Sequence, residues 1–360
     1  MIIKPKQDII ETIWKDYLIE KTDKDYTSLY IHFPYCVQKC NYCMHLSSEI
    51  KDLSIIDSKL DNLEKQFIHA KNIFQNEPIR TVYFGGGSPS LLNELQLERV
   101  LNMIQKHWNI VEDDKGMFSY ELHPSQITDK KIEILKDSFI NRVSMGIQSF
   151  DKKVLESENR IYIPKEKILE TYEKLRKVFK RINVDFMYSL TNQTEESFIN
   201  DIKTMVDRDA IKITMYGYNN LTGNRQIEDE DYYKKIFQRA MVLIHNEFTT
   251  KGYRFEGSDA KNYYEWNILI KDNANLAFDY FYDPTPYSFS NCLAFNIGEN
   301  DSPISYFIPL NILYRYDPHG NLDMRSIFEF KGYDLWELIT KNRINVLSGE
   351  KDKTKTYWRF

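Results

Sequence analysis

Tyr35-Cys36-Val37-Gln38-Lys39-Cys40-Asn41-Tyr42-Cys43-Met44 places three of the chain's four cysteines within eight residues. The spacing is C-x₃-C-x₂-C. Three thiolates on one tight loop can hold three irons of a [4Fe–4S] cube, which usually takes four Cys ligands. One iron is then left open to a non-protein ligand, as a catalytic zinc keeps one position free. A disulfide framework fits poorly, because one pair strands the third cysteine of the run and only Cys292 lies elsewhere. Structural zinc is the rival reading of the cysteines alone, with His45 or Cys292 as the fourth ligand.

Immediately before this run, Ser28–Phe33 reads as a short buried strand, and after it the chain alternates strand-like and helix-like stretches to about residue 246. Ile56, Leu60, Leu63, Phe67, Ala70 and Phe74 recur in steps of three and four, which gives a helix one apolar face. Thr81–Phe84 predicts the next strand and runs into Gly85-Gly86-Gly87-Ser88-Pro89. Leu97, Val100, Leu101, Ile104 and Trp108 mark the helix that follows. Phe118–Leu122, Arg142–Met145, Arg181–Tyr188 and Ile211–Tyr216 supply four more strands, with helices at 129–137, 164–180, 195–207 and 229–246. Six β-then-α units in succession argue for parallel strands joined by right-handed crossovers. The expected fold class is α/β: a partial (β/α)6 barrel, open to extension, over residues 28–250. An N-terminal extension (1–27) and a short C-terminal α+β region (251–360) flank it.

Cys36, Gly87, Glu121, Gln148, Asp185 and Tyr216 each fall at or just beyond the C-terminal end of a different strand. In β/α barrels that end carries the active site, because the βα loops converge there. Any one of these residues alone reads equally well as a cap or a surface group; six together point to a shared site. The triple glycine permits close backbone approach to a ligand. It is neither a P-loop nor a G-x-G-x-x-G fingerprint.

Composition sets outer bounds. The chain has 360 residues, of which 42% are hydrophobic, enough for a sizeable core. Its net charge of −5 comes without a polybasic stripe, so nucleic acid is not an expected partner. The 25 Tyr and 21 Phe mostly serve packing, with some available to line a cavity for a flat substrate. No apolar run reaches the length of a membrane span, and the charged N-terminus lacks a signal-peptide core, so a cytoplasmic location is expected. In that reducing compartment clustered cysteines usually mean metal or redox chemistry.

Tyr30-Ile-His-Phe-Pro-Tyr-Cys36-x₃-Cys40-x-Tyr42-Cys43, Gly85-Gly-Gly-Ser-Pro-Ser90, Glu121-Leu-His-Pro124 and Val143-Ser-Met-Gly-Ile-Gln-Ser-Phe-Asp151 together resemble the radical S-adenosylmethionine (SAM) proteins. Within them the likeness is to the oxygen-independent coproporphyrinogen III oxidase and haem chaperone family, from about residue 28 to 220. The resemblance implies that Cys36, Cys40 and Cys43 ligate a [4Fe–4S] cluster whose fourth iron is chelated by SAM. Tyr30, Gly86 and Glu121 match positions that contact this SAM. Tyr42, Gly87, Ser88, Gln148, Arg160, Asp185 and Asn219 match positions that hold a second SAM in the oxidase branch. A flavodoxin- or ferredoxin-like donor would reduce the cluster, and SAM cleavage would give a 5′-deoxyadenosyl radical that abstracts hydrogen from a small-molecule or tetrapyrrole substrate.

The chain also departs from this pattern. His45 stands where the oxidases carry a further cysteine, and Tyr188-Ser189-Leu190-Thr191 replaces the family's Tyr-Gly-Leu-Pro. Residues 250–320 resemble little; they hold an aromatic run (Phe278, Tyr280, Phe281, Tyr282, Tyr287, Phe289) and Cys292, read as a buried inert thiol with a substrate-side thiol as the alternative. The expected function is methyl or methylene transfer to an aromatic or heteroaromatic metabolite with two SAM molecules; the alternatives are oxidative decarboxylation of a porphyrinogen, which His45 disfavours, and haem trafficking with little turnover.

Overall fold

The computed structural model describes residues 27–43, 47–113, 116–218, 230–257, 267–272 and 292–297, with scattered residues between 4 and 21 and the pair 328–329. Six strands form the centre of one sheet: β1 (Thr27–Phe33), β2 (Pro78–Gly86), β3 (Met117–Leu122), β4 (Arg142–Gln148), β5 (Arg181–Tyr188) and β6 (Lys212–Gly217). They lie side by side in chain order and all run parallel. This is the α/β arrangement and the six-unit order expected from the sequence. Helices α1 (Ile56–Phe74), α2 (Glu94–His107), α3 (Asp129–Lys136), α4 (Lys152–Ser157), α5 (Lys165–Val178), α6 (Glu195–Val206) and α7 (Glu230–Phe248) fill the crossovers and follow the last of these strands.

The sheet continues past residue 250. After α7, β7 (Tyr253–Gly257) and β8 (Asn267–Lys271) form an antiparallel pair that adds to β6, and β9 (Cys292–Asn296) lies parallel to β1 at the other edge. None of these three strands was signalled by periodicity. The aromatic run 278–289, His45 and Asn219 lie outside the described residues. Cys292 pairs in register with Ser28. Among the described residues no helix is long and apolar enough to cross a membrane.

Several strands are longer than their apolar runs. β2 takes in Gly85 and Gly86, and β4 runs through Gly146 to Gln148, with a register shift against β5 between those two residues. Parallel pairing to neighbours on both sides carries these small and polar residues, which a hydrophobic count alone would place in loops. Helix starts are set locally. Asn93 and Gln96 form a reciprocal capping box on α2, and Thr194 with Ser197 does the same on α6. Thr128 caps α3 and Asp151 caps α4. Each such cap is worth about 1 kcal/mol, and each fixes where a βα loop ends.

Strand residues alternate between two faces. Leu29, Ile31, Val82, Phe84, Phe118, Tyr120, Val143, Met145, Ile182, Val184, Phe186, Ile213 and Met215 join one buried apolar cluster with the helices. The residues between them, on the inner face, are largely polar.

Candidate active site at the strand ends

The cysteine loop begins where β1 ends. A two-residue parallel bridge, Tyr35–Cys36 against Ser48–Glu49, ties its two ends together, with Ile50 N–H donating to Cys36 O at 2.9 Å. Cys36, Cys40 and Cys43 are not joined in disulfides, and each is partly buried. Burial raises the Cys36 thiol above its usual pKa, opposed by a hydrogen bond from Ser47. Cys40 and Cys43 pack against a small apolar cluster of Tyr42, Val154, Met187, Leu190 and Tyr218, with Tyr216 at its edge.

The glycine loop abuts this one. Gly87 N–H donates to Phe33 O at 2.6 Å and Ser88 N–H to Tyr35 O at 2.9 Å. A Cβ on Gly86 would stand 2.5 Å from the His32 ring, and Gly86 has φ +109. A Cβ on Gly87 would stand 2.5 Å from Tyr35 O. Only glycine permits both contacts, so these residues are required first by the neighbouring strand end. The Ser88 hydroxyl is committed to Gln126 and Ser90.

Glu121, near the end of β3, accepts from the Tyr83 hydroxyl at 2.5 Å. Burial pushes its carboxyl up to about 7; Asp185 pushes the same way, while the bonds from Tyr83 and Gly86 N–H and the charge of Arg142 resist. Asp185 sits mid-strand on β5, one residue pair below the tip, and burial also raises it. It accepts from Ser144 Oγ at 2.8 Å and Asn183 Nδ2 at 2.7 Å. Asn183 in turn accepts from Thr214 Oγ1 at 2.7 Å and donates to Ser144. Arg142 Nη1 donates to Ser119 Oγ at 2.6 Å. Tyr30, beside Tyr83 with ring centroids 6.1 Å apart, bonds His32 Nδ1 at 3.1 Å.

Gln148 ends β4 with φ +71, a region few non-glycine residues adopt, and its buried Oε1 has no protein partner. Backbone strain beside an unpartnered buried acceptor is a mark of ligand sites. Arg160, on the loop after α4, donates to Gly146 O, to Tyr42 Oη at 3.1 Å and to Cys40 Sγ at 3.7 Å. Burial opposes its charge, but Tyr42 and Cys40 beside it outweigh that and hold its pKa above the usual value. His123 is held well below the usual range by burial and by Arg160.

The structure thus brings Tyr30, Tyr42, Gly86, Gly87, Glu121, Gln148, Arg160 and Asp185 to one end or the inner face of one sheet, beside the three cysteines. Sequence reasoning missed Tyr83, Arg142, Ser144, Asn183 and Thr214. Polar residues two apart in otherwise apolar strands (Ser119/Glu121, Arg142/Ser144, Asn183/Asp185, Lys212/Thr214) were the available signal.

Comparison with known families fits this geometry. The radical SAM superfamily matches residues 30–205. The chain carries a radical SAM domain. It is 28% identical over 240 residues to the oxygen-independent coproporphyrinogen III oxidase of Pseudomonas aeruginosa, covering 64% of this chain and 52% of that protein. It is 27% identical over 261 residues to the heme chaperone HemW of Lactococcus lactis, covering 68% and 66%. The Escherichia coli coproporphyrinogen III oxidase HemN, a radical SAM enzyme, superposes with TM-score 0.66 at 23% identity, covering 76% of this chain and 62% of that one. The chain spans about half to two thirds of the length of these relatives.

A radical SAM domain implies a [4Fe–4S] cluster and SAM, and the residues fit both. A cube bonds each thiolate to a different iron, so it calls for thiols spread round a hollow on one loop. Glu121 and the strained Gln148 supply acceptors nearby.

Proposed function

We propose that this chain is a radical SAM enzyme whose cluster is held by Cys36, Cys40 and Cys43, acting on a flat aromatic or tetrapyrrole-related substrate. The observation that carries this reading is the placement of three cysteines on one braced loop, next to a buried carboxylate at the end of a parallel sheet with a polar inner face. When bound, the reduced cluster and SAM supply a 5′-deoxyadenosyl radical; the protein orients that chemistry and excludes water from it.

The chain's own residues divide the work. Glu121, buried and held by Tyr83 and Gly86, is placed to accept a hydrogen bond from the SAM amino group, and doing so would favour its ionised form. Tyr30 and Tyr83 wall the β1–β2 side. Asp185, with its orientation fixed by Ser144 and Asn183, offers an acceptor for ribose hydroxyls of a second SAM. Gln148 supports that second site through its unpartnered Oε1. Asn219, outside the described residues, is assigned to it by family resemblance alone.

The curated relatives reported above are an oxidase and a haem chaperone. Oxidative decarboxylation of a porphyrinogen therefore stands as the leading reaction, and methyl or methylene transfer rests on the second-SAM positions alone. A flavodoxin- or ferredoxin-like donor is the proposed source of the electron, and a cytoplasmic setting suits it.

The test begins with anaerobic reconstitution. The protein is expected to turn brown with a band near ~400 nm, as thiolate-bound clusters give, and Cys40→Ala to lose it. On reduction with SAM, 5′-deoxyadenosine should accumulate, and a candidate porphyrinogen should release carbon dioxide. A loaded, reduced protein that makes no 5′-deoxyadenosine but holds haem tightly would establish the chaperone role instead. A methylated product would establish transfer.

A further inference from the structure

We infer that Arg160 sets the reduction potential of the cluster through Cys40, and that Asn159 fixes the loop geometry across which it acts. The inference rests on the cluster assignment of the preceding section and goes beyond it.

The chain leaves α4 at Ser157 and spends three consecutive residues on the cysteine loop. Glu158 O accepts Asn41 N–H at 2.9 Å. Asn159, at φ +52, donates through Nδ2 to Lys39 O at 2.9 Å and accepts through Oδ1 from Gln38 Nε2 at 2.7 Å. Arg160 then reaches Cys40 Sγ and Tyr42 Oη. Residues 38 to 42 are thereby gripped in sequence by residues 158 to 160, more than a hundred positions away. Thr191 N–H braces the grip from behind by donating to Glu158 Oε1 at 2.7 Å.

Arg160 is only 9% exposed. A guanidinium keeps its charge at any working pH, and in a poorly solvated site a fixed charge acts more strongly than in water. Reduction adds one electron, supplied by the donor, and makes the cluster more negative. A positive charge and an N–H···S bond on a ligand sulfur stabilise that reduced form more than the oxidised one. Hydrogen bonds to sulfur and net charge are known levers on cluster potential. Arg160 therefore makes the cluster easier to reduce. Its other anchors, Gly146 O and Tyr42 Oη, hold the fork in place before any ligand arrives.

The experiment is a potentiometric titration of the reconstituted protein, read by electron paramagnetic resonance of the reduced cluster, without SAM or substrate. At the wild-type midpoint, Arg160→Gln is expected to lower the reduced-to-oxidised ratio about tenfold, equivalent to ~59 mV for one electron. Arg160→Lys, which keeps the charge but not the fork, should fall between the two. Asn159→Ala should lower the iron retained per chain, while its remaining cluster titrates closer to wild type than Arg160→Gln does. An Arg160→Gln midpoint equal to wild type overturns the inference. So do equal shifts in Arg160→Gln and Arg160→Lys, which would assign the effect to loop geometry. If Arg160→Gln assembles no cluster, an unchanged Arg160→Lys midpoint overturns it. A wild type that assembles no cluster overturns the site assignment itself, a distinct and separately visible failure.

Discussion

The two faces of this sheet are built on opposite rules. Parallel strands covered on both sides usually read as unbroken apolar runs. Here the outward residues of β1 to β6 obey that rule, and merge with α1, α2, α3, α5, α6 and α7 into a single buried cluster. The inward residues do not: Thr214, Asn183, Ser144 and Asp185 form a chain of hydrogen bonds across three strands. A buried polar network contributes little net stability, since each bond replaces one to water. Its value lies in holding charges such as Glu121 and Asp185 in fixed positions. Stability should therefore reside on the outer face, and ligand binding on the inner one.

The largest expected effect tests the outer face. Phe67 is fully buried between Trp108 and Phe295, edge-on to both. Phe67→Ala should cost about 3–5 kcal/mol, as core aromatic truncations do, measured by urea unfolding. A cost below about 1 kcal/mol would show that this packing is not where stability lies.

Among the described residues several polar side chains are also buried in the outer layer, Asp201 among them. Asp201 of α6, 5% exposed, accepts from Ser149 Oγ at 2.6 Å and from Phe150 N–H at 3.2 Å. It thereby clamps the turn that follows Gln148. Burial pushes its carboxyl up from 3.8 to about 7, against those two bonds and Lys165. The folded state thus holds this proton more tightly than the unfolded state. The stability associated with it is full below pH 4 and lost as pH rises to about 7, an effect of roughly 4 kcal/mol. Asp201→Asn, which can keep both contacts, should unfold with that much less pH dependence between pH 4 and 8. Equal pH dependence in the two proteins would remove Asp201 as the cause.

Much of this arrangement was legible in the sequence, for physical reasons that also explain what was not. Six βα units show because helix faces and strand runs are local patterns. The cysteine run and the Gly85–Gly87 turn show because their chemistry is contiguous. The brace on the cysteine loop was hidden because Asn159 and Lys39 are 120 residues apart, and no local pattern marks such a pair. Tyr83 read as strand filler until its hydroxyl was seen on Glu121. The strands β8 and β9 went unread because they pair with β6 and β1, far earlier in the chain, and β7 enters the sheet only through β8.

Glu121→Gln probes the inner face. Glutamine can still accept from Tyr83 and Gly86, so unfolding free energy should change by less than about 1 kcal/mol. Affinity for SAM in the reconstituted protein should fall about 10- to 100-fold, the worth of one hydrogen bond to a charged group. Equilibrium binding measures it. A variant that unfolds readily yet binds SAM normally would break the division between the faces.

The smallest expected effect lies where the two faces meet, at the tip of β5. Ser189 occupies φ +66, in the segment where the related family carries glycine. A left-handed backbone costs an L-residue roughly 1–2 kcal/mol. The serine is buried at 8% exposure and adjoins Tyr188, whose ring stacks on Phe237 at 3.8 Å. Its strain is therefore held by outer-face packing at the end of β5. Ser189→Gly should relieve that strain and stabilise the fold by about 1 kcal/mol, less the extra entropy that glycine gains when unfolded. Thermal unfolding would register the gain, and SAM affinity should stay within about twofold, a change of only ~0.4 kcal/mol. If the variant were instead less stable and bound SAM more weakly, the serine side chain would be serving both faces at once.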